Sequence, residues 1–190
     1  MANGRSARDD HEIRSLNGQF GEDETHIGLV AASLDLEQTR AIVDLYNECG
    51  DWTTASEQWL ERREAERLTV EGSRRSFNAI KPRLQEGGGG LPPLQYLPDI
   101  LDACRKERDQ LQVLYCYLVA EDAVVKYVLH EYLQQLQRRS VSALDFSNEQ
   151  IIEFLDEFRH TDGSPLDFSE STKDRWGTNF RGVLRSVGVI

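Results

Sequence analysis

Two clusters of basic residues are the part of this sequence whose type and spacing could do chemistry. The first is Arg74, Arg75, Lys81 and Arg83, and the second is Lys173, Arg175, Arg181 and Arg185. Guanidinium forks donate paired hydrogen bonds to phosphate oxygens, and an ammonium offers a compact point charge to the same acceptors. The surrounding chain opposes them, with a formal net charge of −11 over 190 residues. Positive charge is confined to 62–85, at +4, and 169–190, at +2, while 140–168 carries −6. An acidic protein slows the approach of phosphate unless its cations are gathered on one surface.

Other reactive groups lack partners at useful spacing. His11, His26, His130 and His160 form no i, i+4 pair and have no cysteine nearby, which argues against zinc. Glu121 and Asp122 are adjacent and so point in different directions on a helix, unlike a paired acid and base. The glycine run at Gly87–Gly90 lacks the lysine and hydroxyl of a phosphate-binding loop, and no GxSxG or HExxH occurs. We therefore expect no enzyme, no cofactor, no metal and no small-molecule substrate. Trp52, Trp59 and Trp176 could stack on bases, but their spacing beside Leu and Phe fits a core better.

Helices must position the basic residues. SLDLEQTRAIVDLYNECG, from Ser33, predicts a helix with Ser33 as its cap and Gly50 as its left-handed stop. A second follows with Thr53 or Thr54 at its start, and a third begins near Thr69 with Phe77, Ile80 and Leu84 inward. Pro82 should end or kink that third helix close to Lys81. Three short helices with the last one basic have the outline of a helix-turn-helix unit.

Beyond EGGGGLPP, helices are predicted over about 93–104, 106–119 and 122–138, the last with a wide apolar stripe. Ser147 with Gln150 is a capping box before Ile151, Ile152, Leu155 and Phe158. Ser169 or Ser171 then caps a basic helix that ends at Gly188, and Val189 and Ile190 read as a short β tail, giving a winged-helix-like outline. The fold class is thus all-α, a bundle of about seven helices. The units are a flexible arm at 1–32, a three-helix lobe at 33–86, a Gly/Pro linker at 87–93 and a helical lobe at 94–190. Charges within the apolar run from Leu111 argue against a membrane span. Three cysteines without CxxC spacing, and no leader-like opening, point to a reducing cytoplasm.

The ordered set LYNECGDWTTASEQWLERREAERLTVEGSRRSFNAIKPRL, LPDILDACRKERDQLQVLYCYLVAEDAVVKYVLHEYL and FSESTKDRWGTNFRGVLRSVGVI resembles the BrxA family of BREX phage-defence systems. Phe168 stands where the family pattern has Leu, and the resemblance runs from about Leu34 to Ile190. It implies an all-helical cytoplasmic accessory protein with a fold similar to the NusB antitermination factor, binding duplex DNA and other BREX subunits. The positions matching the family's basic helices are Arg74, Arg75, Lys81 and Arg83, then Lys173, Arg175, Arg181 and Arg185. Two other classes stay open beside DNA binding. An adaptor without DNA contact would use the acidic 140–168 segment, and RNA binding is permitted by a NusB-like fold but lacks an aromatic platform.

Overall fold

The computed structural model describes residues 16–25, 29, 34–62, 69–84, 90–139 and 146–190. Eight α-helices occur among these, and no strand. Helix α1 spans Leu36–Cys49, α2 Trp52–Arg62 and α3 Val70–Ile80. They are followed by α4 at Leu97–Ala103, α5 at Glu107–Glu121, α6 at Ala123–Arg139, α7 at Asn148–Glu157 and α8 at Glu170–Val187.

Capping chemistry sets most of these ends. Gly50 takes φ 75°, and its N–H donates to Tyr46 O at 2.8 Å, so α1 stops where a left-handed residue is available. The predicted cap Ser33 lies outside the described residues, and the cap is Asp35, which accepts from Gln38 N at 2.9 Å. Nor do Thr53 or Thr54 cap α2. Asp51 Oδ1 accepts from both of their backbone N–H groups, at 2.9 and 2.8 Å, and this holds its carboxyl below the usual range. Thr69 caps α3, and at Pro82 the chain tightens into a 3-10 turn over Lys81–Leu84.

Two apolar cores hold the bundle together. One gathers Ile42, Leu45, Trp59, Phe77 and Ile80 with Leu97, Leu101, Leu114 and Tyr117. The other gathers Leu118, Val124, Val128, Phe154, Phe158, Trp176 and Phe180 with Leu29. Helix α5 serves both cores, with Leu114 and Tyr117 in the first and Tyr115 and Leu118 against the second. Residues after the glycine run close the first core because α4 and the start of α5 fold back over α1. Of the linker expected at 87–93, residues 87–89 lie outside the described residues. Within the arm expected at 1–32, Leu16 and Phe20 pack on the second core and Leu29 is fully buried in it, while 1–15, 26–28 and 30–32 lie outside the described residues.

No β tail forms. Gly188, at φ 76°, turns the chain back so that Val189 N–H donates to Leu184 O at 2.8 Å instead of to a strand. The winged-helix-like outline thus lacks its wing, and the only bridge among the described residues joins Arg159 and Pro165. No described helix is long and apolar enough to cross a membrane.

Candidate nucleic-acid interface

Helix α8 is amphipathic in a way its sequence dictates. Trp176, Phe180, Val183, Leu184 and Val187 recur at helical spacing and are all buried. Ser169 starts the helix by accepting from Thr172 N at 3.3 Å. At 100° per residue, Arg175, Thr178, Gly182, Arg185 and Ser186 fall within an arc of about 100° on the opposite side, and all five are exposed. A Cβ at Gly182 would meet nothing within 4 Å, so this face is open down to the backbone. Arg175 and Arg185 make no ion pair among the described residues.

The other two basic residues of α8 are placed differently. Lys173 has a side chain only 12% exposed, and its ammonium lies between Asp156 of α7 and Glu170, 2.8 Å from the latter. Hydrogen bonds to Asp156 and then Glu170 raise its pKa, as expected for a cation held by two carboxylates. It ties α8 to the end of α7 instead of facing solvent. Arg181 is half-buried, with its Nε buried and without a hydrogen-bond partner among the described residues. The rest of its charge acts on Glu149, whose carboxyl is held low by its own backbone, then Ser147, with Arg181 contributing less.

The C-terminal end of α8 is tied to the start of α5. Arg108 donates from Nε to Val187 O at 3.3 Å and from Nη2 to Gly188 O at 3.2 Å, and Gln112 Nε2 donates to Val187 O at 2.8 Å. These bonds satisfy carbonyls left over at the α8 C-terminus and favour a cation there. They bring the exposed Arg105 and Lys106, just ahead of Arg108, to the same end of the molecule as Arg185. Neither makes an ion pair among the described residues. The sequence reading missed Arg105, Lys106 and Arg108 because RKERD sits in a segment of net charge −2. Adjacency of three cations over four residues was the signal available.

The first basic segment lies on α3 and the 3-10 turn after it. Arg75 Nε lies 2.9 Å from Glu71 Oε1 and Arg74 Nη1 lies 3.6 Å from Glu71 Oε2, with both arginine side chains exposed. Exposed pairs of this kind contribute about 0–1 kcal/mol, so a phosphate could displace Glu71. Lys81 is half-buried at the C-cap of α3. Arg83 is only 6% exposed. The 3-10 turn after Ile80 carries it inward, where burial pulls its pKa down to about 10 and the charge of Asp122 offsets that. Asp122 is itself buried and caps α6, its Oδ1 accepting from Val124 N and Val125 N at 3.0 Å each. Because α3 packs in the first core and α8 in the second, the two basic segments are not brought together by direct packing of these helices.

The tryptophans are structural. Trp59 and Trp176 are buried, Trp59 Nε1 donates to Ser73 O at 2.9 Å, and Trp52 stacks on Tyr46 at a centroid distance of 4.2 Å. Among the described residues no three His, Cys, Asp or Glu side chains are grouped as a metal site would need. The chain matches no protein-family model and no curated protein.

Proposed function

We propose that this protein is a non-catalytic accessory of the BREX type that binds duplex DNA, contacting phosphates through the outer face of α8 and the adjoining start of α5. The observation that carries this reading is the placement of Arg175 and Arg185, both exposed and without an ion pair among the described residues, at either end of an open strip of Thr178, Gly182 and Ser186. The two arginines are separated by about 15 Å along the axis, at 1.5 Å per residue. Small side chains between them let a helix backbone approach a sugar-phosphate rim closely, and hydroxyls add donors for phosphate oxygens. Arg105 and Lys106 extend the same positive edge. The assignment to phage defence rests on the resemblance of the ordered helix motifs. Titration of a fluorescent duplex across a salt series tests the reading, which expects log affinity to fall linearly with log salt at a slope of about −3 to −4.

A second reading is supported by α7. Its exposed Glu149, Glu153, Asp156 and Glu157 lie at i, i+4, i+7 and i+8 on one face, a surface suited to a basic protein partner. An adaptor of this kind would show no duplex binding even at low salt.

A further inference from the structure

We propose that Arg108 is a positioning residue for phosphate binding: it fixes the turn that carries Arg105 and Lys106 against the last turn of α8, which carries Arg185. This rests on the reading of α8 as a phosphate-contacting helix and adds the part that holds the cations at its C-terminal end as one group.

Arg108 is exposed, yet its donors serve the protein's own backbone. Nε and Nη2 donate to Val187 O and Gly188 O, and Gln112, one turn on, donates to the same Val187 O. The guanidinium lies where a side chain at Gly188 would stand, so the absence of one admits it to the end of α8. Gly188 N–H in turn donates to Arg185 O at 3.1 Å. Arg108 therefore grips the turn that holds Arg185.

The seat is written into α5. Arg108, Gln112, Tyr115 and Val119 recur at i, i+4, i+7 and i+11, a single stripe along a helix. Tyr115 and Val119 pack on the second core, to which α8 contributes Trp176 and Phe180. Arg108 and Gln112 carry the same stripe to the end of α8, where they satisfy carbonyls that the helix leaves over.

Arg105 and Lys106 ride on this frame. Lys106 is the N-cap of α5, and its carbonyl accepts from Asp109 N at 3.0 Å and Gln110 N at 3.2 Å. Gln110 Nε2 donates to Leu101 O at 2.9 Å and to Cys104 O at 3.2 Å, so the connection from α4 is bonded to the first turn of α5. Cations held at fixed spacing lose less freedom when they meet a row of phosphates, which favours their binding together. Arg108 gives its own donors to carbonyls, and its contribution to binding is geometric.

The test is Arg108→Lys, which keeps the charge but loses the forked donor geometry of the guanidinium. Fluorescence anisotropy of a labelled duplex across a salt series compares the parent, Arg108→Lys, Arg105→Ala/Lys106→Ala and the triple variant, each checked for folding by circular dichroism. We expect Arg108→Lys to weaken binding about three- to tenfold at low salt and to make the salt slope shallower by about 1 to 2, although no charge is lost. In the Arg105→Ala/Lys106→Ala background the same change should have little further effect, since the cations it positions are gone. Backbone amide order parameters of Arg105 and Lys106 in the unbound protein should fall in Arg108→Lys, from about 0.85 toward about 0.6. A folded Arg108→Lys with parental affinity and slope would overturn the positioning role and leave duplex binding intact, as would an equal loss in both backgrounds. Unchanged order parameters would overturn it as well. Absence of duplex binding by the parent would overturn the α8 reading and the positioning role together.

Discussion

Asn148 occupies the space that a side chain at Gly177 would need. A Cβ on Gly177 would overlap Asn148 Oδ1 and approach Ile151 Cγ2 to 3.3 Å, so α7 and α8 meet at van der Waals contact through a missing side chain. Asn148 is held there by its Nδ2, which donates to Asp174 Oδ1 at 2.8 Å. This crossing, with the Lys173 bridge to Asp156, fixes which side of α8 faces solvent.

Gly177→Ala should therefore destabilise the protein by about 1–3 kcal/mol, the usual range for overpacking a tight contact. Urea denaturation measures it. Because the first obstruction is the Asn148 side chain, adding Asn148→Ala should recover part of the loss. Strict additivity of the two substitutions would contradict the geometry.

Asp122 makes stability depend on pH. Burial pushes its pKa from the ordinary 3.8 to about 6, opposed by the Val125 N–H, Arg83, the Val124 N–H and Lys126. The folded protein binds this proton more tightly than the unfolded chain, so this contribution is present below the ordinary value and is lost as pH rises through about 6. The shift corresponds to a loss on the order of 2–3 kcal/mol. Asp122→Asn keeps an oxygen for the α6 cap but cannot titrate. Measured by urea denaturation from pH 4 to 7.5, its stability relative to the parent should rise with pH, and a flat difference would contradict the assignment.

Gly188 and Arg108 close the other end of α8. Alanine at Gly188 would have to hold φ 76° and would overlap the Arg108 guanidinium. We expect Gly188→Ala to cost about 1–2 kcal/mol. The same substitution in an Arg108→Ala background should cost less, since only the backbone penalty remains. Thermal or urea unfolding of the four proteins in that cycle checks this.

Much of the architecture is legible in local sequence because caps and stops are short-range signals. Ser147 with Gln150, Gly50, Thr69, Ser169 and the break at Pro82 all lie where the chain uses them. The choice of Asp51 over Thr53 or Thr54 is less legible, since all three are good caps and the exit from Gly50 decides which one faces the free N–H groups. The sharing of α5 between two cores is not legible locally, since Leu114 and Leu118 of one helix serve different cores through partners distant in sequence.

At the candidate interface, residue type alone does not separate a phosphate ligand from a structural cation. Arg83 is turned inward by a 3-10 segment, and Lys173 is claimed by Asp156, 17 positions earlier in the chain. Conversely, Arg105 and Lys106 reach the end of α8 through Arg108 and the carbonyls of Val187 and Gly188, which are distant in sequence.

We propose that the exposed arginines of α8, which make no ion pair among the described residues, bind phosphate and that the buried-facing lysine beside them does not. The most direct measurement is fluorescence anisotropy of a labelled duplex across a salt series, comparing Arg175→Ala/Arg185→Ala with Lys173→Ala, each checked for folding by circular dichroism. The double arginine variant should lose about tenfold or more in affinity at low salt, with the salt slope smaller by about 2, whereas Lys173→Ala should keep the parental slope. Equal slopes for the parent and the double variant, with both folded, would contradict the claim.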